Sequence, residues 1–359
     1  MKAAFYDGNG YMEVKEHPDP IAGDGDAIIQ VKATGICGSD LLMNNDKEQA
    51  DELPAGHEVT GLVVEVGPGS DKSLIGQRVA IETIGQGRAC SKCWYCRMGQ
   101  YRQCQNMAVA EGGGFAEFIN RKTIGCYEIG DSMTWEEGAL VEPLAVSVHG
   151  IRRGLMTGGE SVAILGSGTI GLTAVVAARA LGAGKIFVTA RHEQQANMAL
   201  SLGADYACDP SDGNFEDLIL ENTDGRGADL TVETVGGKSN ATLLQSVDST
   251  RMQGRIVILG GFRTPLQFDW LQPLLKEQSF IFSSCYGILN GYHDYEMAIE
   301  LLSQKENKLS EIVTHKYSLE DIQEGFECAY DKTTGSIKVQ IHQESSTEIV
   351  ECILESPRC

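Results

Sequence analysis

The sequence predicts an α/β protein of two domains: a compact β-barrel with few helices, and a parallel sheet covered on both faces by helices. Three observations lead there. Residues 1 to about 130 are short alternating apolar and polar runs separated by Gly, Pro and Asp, the patterning of strands and turns. Beyond Gly158 and Gly159, strand-like and helix-like segments alternate, which is the layout of a parallel sheet. At 162–171 a strand runs through Gly-x-Gly-x-x-Gly into a helix. The length of 359 residues suits two domains.

Taken in order, period-2 alternation predicts strands at 27–33, 59–66 and 78–81, with turns at 21–25 and 67–69. Helix-spaced apolar residues follow at 135–140 and 143–153, with Pro143 suited to the first turn of the second helix. The alternating region predicts strands at 161–165, 185–189, 229–232, 255–259 and 280–284, and helices at 170–181, 193–202, 239–246 and 272–276. A helix at 292–302, a strand at 312–317, a helix at 319–330 and a strand at 336–341 return the chain to the first domain. The expected domains are 1–152 with 288–341, then 153–287, with a polar tail at 342–359.

Charge narrows the partners. Lys and Arg number 29 against 50 Asp and Glu, a net −21, which repels nucleic acid and anionic membranes. No apolar run is long enough to span a bilayer, and the N-terminus lacks the basic-then-apolar layout of a signal peptide. A cytoplasmic location is expected. Eleven cysteines in such a chain point to metal ligands and buried thiols, not disulfides. Cys126, Cys208, Cys285 and Cys328 are scattered through apolar segments and read as core residues.

Three stretches carry chemistry. Cys37 ends an early strand, and His57 with Glu58 stands just before an apolar one. Thiolate, imidazole and carboxylate are the donors of a catalytic zinc with one open position. Cys37 and His57 are the first two ligands, and Glu58 or Glu142 the third. Each residue alone would pass for a core thiol or a surface pair; the combination does not. Cys90, Cys93, Cys96 and Cys104 place four soft donors within fifteen residues, enough for a loop to close round one tetrahedral structural zinc in a lobe at about 88–106. The rival readings are a redox pair, which needs only two cysteines, and a nucleic-acid ribbon, which the charge disfavours. Gly166, Ser167, Gly168, Thr169, Ile170 and Gly171 form the turn where backbone approaches a pyrophosphate at a helix N-terminus. At the end of the second strand an acidic residue would select NAD. Ala190 stands there instead, followed by Arg191 and His192, and a guanidinium suits a 2′-phosphate. NADP is therefore the expected cofactor, with NAD possible.

Gly-His-Glu-x-x-Gly-x5-Gly-x2-Ser over 56–70 resembles the signature of zinc-dependent medium-chain dehydrogenases, and the segment Gly35 to Asp40 resembles their first-ligand segment. The resemblance runs from Met1 to about Ile341. It implies a GroES-like β-barrel catalytic domain interrupted by a Rossmann doubly wound parallel sheet. It implies Cys37 and His57 as zinc ligands. Glu142 takes the place that is cysteine in liver-type alcohol dehydrogenases and glutamate in sorbitol-type ones. Glu58 would coordinate or lie just behind the metal. Ser39 would pass the alcohol proton outward, and Asp40 would orient His57. The four-cysteine lobe is also a family feature. One departure is Leu42, where many members have a histidine that accepts the final proton; water would serve here.

The expected function is hydride transfer between a secondary alcohol and NADP, with a polyol, sugar or cyclitol favoured by Glu142. A threonine-type or simple-alcohol dehydrogenase using NAD is the nearest alternative. A zinc-free quinone or enone reductase would not need Cys37, His57 and Glu142, and a non-enzymatic binding protein would be expected to have lost a ligand or a glycine. Gly114, Phe115 and Tyr286 are candidate pocket residues. The resemblance further implies a homodimer or homotetramer paired through the strand edge at 280–284.

Overall fold

A computed structural model describes residues 1–44, 53–108, 112–304 and 308–343. The expected tail lies outside them from residue 344, and Cys352 and Cys359 with it. Contacts divide the chain into two units. The first is Met1–Cys96, Cys104–Glu142 and Ser310–Cys359, and the second is Arg97–Gln103 and Pro143–Leu309. Those lines fall at 142 and 309, where the sequence reading drew them at 152 and 288. Asp294 supplies the reason: in the second unit its buried carboxylate takes His149 Nδ1 at 2.6 Å, the Arg152 guanidinium and the backbone N–H of Gly287 at 2.9 Å.

The first unit is built on a seven-stranded sheet. Its order is Val313–Ser318, Lys338–His342, Asp26–Gly35, Glu58–Val66, Arg78–Glu82 and Cys126–Glu128, with Phe118–Lys122 also paired to Asp26–Gly35. All pairings are antiparallel except that of the first two strands. Alternation explains the core: Ala27, Ile29 and Val31 face Val59, Val63, Val79, Ile81 and Ile119. Two register shifts, at Ile28/Ile29 and Val31/Ala33, mark bulges that bend the long strand. His342 closes the last strand opposite Ala33 and is buried, so the tail begins one residue later than expected.

The second unit contains a six-stranded, wholly parallel sheet in the order Tyr206–Cys208, Lys185–Thr189, Ser161–Leu165, Ala228–Glu233, Thr250–Ile258 and Ser279–Phe282. The order in which successive strands are laid down reverses at Ser161–Leu165, which creates a crevice at the carboxyl ends of the strands. Every residue of Ser161–Leu165 is buried, as a strand covered on both faces requires. The sequence reading missed Tyr206–Cys208 and the helix Phe215–Glu221. A three-residue strand is too short to show a period.

Pro143 is the main correction to the element boundaries. The two expected helices are one, Trp135–Arg153, with Pro143 inside it. Proline removes one helical hydrogen bond and crowds the preceding turn. The surrounding residues 139–145 are all buried, and that packing outweighs the local loss. Among the described residues no helix is long and apolar enough to cross a membrane.

The helix expected at 292–302 begins at Asp294 and runs to Leu302, preceded by a two-residue strand, Tyr292–His293. His293 caps that helix: its Nδ1 accepts from the Tyr295 N–H at 3.1 Å. Burial drives its pKa down to about 4, with Arg152 and His149 adding to the fall and Asp294 opposing it. An unfolded histidine titrates near 6.5, so protons bind the unfolded chain first. The stabilisation is therefore complete above about pH 6.5 and lost as pH falls towards 4, roughly 3 kcal/mol in all. His293→Asn keeps a capping acceptor and does not titrate. Urea melts at pH 7 and pH 4.5 should show the variant losing less stability than the parent, by about 1 kcal/mol or more. Equal losses would remove His293 from the acid response.

Candidate active site

Strand register brings the candidate metal ligands Cys37, His57 and Glu58 together. Gly35 pairs with Glu58 across the sheet, so Cys37, two residues past Gly35, lies beside His57, one residue before Glu58. Gly56 makes the approach possible. Its φ is +93°, and a Cβ there would sit 3.0 Å from the Phe115 ring and from the Phe115 nitrogen. Backbone bonds from Gly114 N to Gly56 O (2.9 Å) and from Phe115 N to Ala55 O (2.8 Å) hold this turn. Thr83 Oγ1 donates to the His57 carbonyl at 2.9 Å.

The donor atoms of Cys37, His57 and Glu58 all lie within 4.8 Å of one another. A soft thiolate, an imidazole and a carboxylate at that spacing fit a zinc ion. Cys37 starts the short helix Gly38–Met43. Asp40, fully buried in it, accepts from the Cys37 N–H at 2.7 Å and from the Tyr6 hydroxyl at 2.8 Å. Its Oδ1 lies 3.5 Å from His57 Nδ1, which leaves Nε2 as the ligating nitrogen. Burial works against charge on both partners. The opposite charges win, holding Asp40 below the usual carboxylate range and His57 well above the usual imidazole range, Cys37 adding to the latter. Ser39 is half-buried in the same helix, and Leu42 is 51% exposed.

Glu142 stands outside that group of three. It is buried in the helix Trp135–Arg153, and burial together with the nearby Glu58 pushes its pKa up to about 7, against the pull of His57 and Lys338. Lys338 is the residue that sequence reasoning missed. It is 1% exposed, as is Glu58, and its ammonium pairs with Glu58 Oε2 and donates to the Ile36 carbonyl at 3.0 Å. The available signal was a lysine inside the apolar run Ile337 to Ile341. Tyr6 was missed for the same reason, being remote in sequence.

Phe115 and Gly114 are not pocket residues. Phe115 is fully buried against Phe326, ring centroids 5.7 Å apart, and a Cβ at Gly114 would strike Val59. Tyr286 does line a cavity of about 550 Å³ in the second unit, beside His149, Arg153, Gly260 and Ser284.

The four sulfurs of Cys90, Cys93, Cys96 and Cys104 converge within 4.8 Å. Backbone N–H groups already point at them, from Cys90 to Cys104 Sγ and from Cys93 to Cys90 Sγ, both at 3.3 Å. N–H donation from Lys92 and Cys93 draws the Cys90 thiol down to about 6, whereas burial pushes Cys96 up to about 12. Four thiol groups crowded on one point fit a tetrahedral metal. The ends of the lobe are tied by Ala108 N to Arg88 O (2.9 Å) and by the Arg88 guanidinium to Ala108 O (2.6 Å).

The glycine turn follows Ser161–Leu165 and opens the helix Thr169–Ala180. Gly171 must lack a side chain, because a Cβ would lie 2.0 Å from the Gly166 carbonyl. Gly168, by contrast, faces open space, with nothing within 4 Å of a Cβ. That is a cradle shaped for a ligand at a helix N-terminus. Ser167 Oγ donates to Gln195 at 3.2 Å, and Gly166 N donates to Thr189 Oγ1 at 2.8 Å. Ala190 is buried at the strand end, Arg191 is exposed, and His192 caps the helix Glu193–Ser201. Bonds from Ser211 hold the Asp209 carboxyl below its usual range, with Arg191 and His192 near enough to add to the lowering.

Residues 23–131 match the alcohol dehydrogenase GroES-like domain family, and residues 169–304 match the zinc-binding dehydrogenase family. The chain is similar to a sorbitol dehydrogenase from Halalkalibacterium halodurans, 32% identical over 88% of this chain and 91% of the relative. It is similar also to an L-threonine 3-dehydrogenase from Pyrococcus furiosus, 32% identical over 90% of this chain and 94% of the relative. Among solved structures, one described as a zinc-binding dehydrogenase from Sinorhizobium meliloti 1021 bound to NADP superposes with a TM-score of 0.83. It is 26% identical and covers 95% of this chain and 98% of its own.

Proposed function

The chain belongs to the zinc-dependent medium-chain dehydrogenase family and is an NAD(P)-dependent alcohol dehydrogenase, and from that premise we propose that it oxidises a secondary alcohol of a polyol, sugar or cyclitol with NADP. The observation that carries the reading is the convergence of Cys37, His57 and Glu58, with Asp40 behind the imidazole. Cys37 and His57 hold the metal, and Glu58 or Glu142 completes the protein ligands. When bound, zinc supplies a Lewis acid for the alcohol or carbonyl oxygen. Asp40 fixes the imidazole ring through Nδ1 and is itself fixed by Tyr6 and the Cys37 N–H. The Ser39 hydroxyl receives the alcohol proton and passes it to water, since Leu42 offers no base. Cys90, Cys93, Cys96 and Cys104 hold a second, structural zinc. The turn 166–171 receives the pyrophosphate, and Arg191 with His192 receives the 2′-phosphate. Glu142 and the sorbitol dehydrogenase relative favour polyols.

Using NAD is the second reading, favoured by the Asp209 carboxylate near Arg191 and His192. Steady-state kinetics on a panel of polyols, sugars and amino alcohols with both cofactors separates the two. NADP should be preferred in kcat/KM by about ten-fold or more, and Arg191→Ala should remove most of that preference by raising KM for NADP alone. A clear preference of the parent for NAD sinks the cofactor assignment. Turnover of threonine alone would move the substrate to the amino alcohols.

A further inference from the structure

A cavity of about 290 Å³ lies against His57 in the first unit, and Thr83, Ile84, Gly112, Gly113 and Arg121 are among its walls. No metal-binding or cofactor-binding role falls to Arg121, yet it is 6% exposed on the strand Phe118–Lys122. Burying a guanidinium is unfavourable unless it is hydrogen-bonded. Three of its bonds go to backbone carbonyls, two of them on different wall segments. Nε donates to the Thr83 carbonyl at 3.2 Å, Nη2 to the Gly112 carbonyl at 2.6 Å, and Nη1 to that of its neighbour Asn120 at 2.6 Å. Gly87 leaves room for the stem, since a Cβ there would lie 3.3 Å from Arg121 Cδ. Both wall segments then reach the backbone around His57. Thr83 Oγ1 donates to the His57 carbonyl at 2.9 Å. A Cβ on Gly112 would lie 2.8 Å from Pro54 Cδ, and one on Gly113 2.3 Å from the Gly56 carbonyl, which accepts from Gly114 N at 2.9 Å. One guanidinium therefore joins two segments that each lean on the chain at 54–57.

We infer that the cavity beside His57 receives the carbon chain of the alcohol and that Arg121 is the positioning residue that sets the spacing of its walls. This rests on the proposed reading of His57 as a zinc ligand and of a polyol as substrate. The planar guanidinium presents its donors in a rigid fork, which suits a brace between two carbonyls. A lysine ammonium is a point charge on a flexible stem and does not hold two segments at a fixed spacing. The walls touch the chain of the alcohol away from the reacting carbon. Their loss weakens ground state and transition state alike, so the effect falls on KM.

The test is steady-state kinetics with sorbitol and xylitol as probes, together with zinc analysis. Arg121→Lys and Arg121→Gln should each raise KM for the polyol by about ten-fold and leave kcat within about three-fold of the parent. KM for NADP and zinc content should stay at the parent values. In Arg121→Ala, added ethylguanidinium should bring the polyol KM back towards the parent, and ethylammonium should not. An unchanged polyol KM in the Lys and Gln variants overturns the proposal. A parent-like Lys variant beside an impaired Gln variant also overturns it, because charge alone would then suffice. Parallel losses in polyol KM, NADP KM and zinc content mean general damage to the fold and overturn it too. Should the Arg121 variants fail to fold, Thr83→Val decides, since it cuts one link to His57 with the guanidinium in place. It should raise the polyol KM by about three-fold, and an unchanged value refutes the role of Arg121. A parent protein that holds both zinc ions and oxidises neither polyol overturns the underlying substrate reading instead.

Discussion

Replacing Cys37 by Ser is expected to lower kcat/KM by about 10³-fold or more and to leave the fold intact. A Lewis acid at the reacting oxygen supplies several kcal/mol in the transition state, and each 1.4 kcal/mol is about ten-fold in rate. Stability should hardly change, because serine is a preferred residue at a helix start and Cys37 begins the helix Gly38–Met43. His57→Gln should lose activity to the same extent. It also strands the buried Asp40 carboxylate, so a modest fall in melting temperature is expected there and not in C37S. Zinc analysis should show the parent with one more ion per chain than either variant. Near-full turnover in C37S with that ion gone would remove the metal from the mechanism.

The second large effect lies in the lobe. Cys93→Ser removes one of the four sulfur donors that converge in the lobe. Metal binding there is folding free energy for the segment. A loss of about 4 kcal/mol would lower the melting temperature by about 10 °C for a unit of this size. Because Arg88 and Ala108 clamp the two ends, the damage should stay local. Limited proteolysis should then cut between 88 and 108 in the variant and in chelator-treated parent, and leave the untreated parent whole. An unchanged melting curve together with an uncut lobe would mean that the four cysteines hold no structural ion.

Local patterns were readable wherever one element carries its own signal. The alternation in Asp26–Gly35 and Glu58–Val66 reports a sheet face, and the buried run Ser161–Leu165 reports a central strand. The glycine spacing at 166–171 is visible for the same reason. Gly171 answers a contact a few residues away, at the Gly166 carbonyl. Pro143 misled because its local cost is real and is offset only by packing that a linear pattern does not display. Phe115 misled because an aromatic beside a glycine pair looks the same whether it lines a pocket or fills a core.

By itself, then, the sequence determined the two kinds of sheet, the four-thiol lobe, the glycine turn and the family of chemistry, because spacing within a short segment carries each of them. Tertiary structure alone decided what surrounds the catalytic donors. Lys338 reaches Glu58 across 280 positions, Tyr6 meets Asp40 across 34, and Asp294 ties back to His149 across 145. Those partners are chosen by strand register and by the cost of burying a charge alone, and neither is written in the spacing of neighbouring residues.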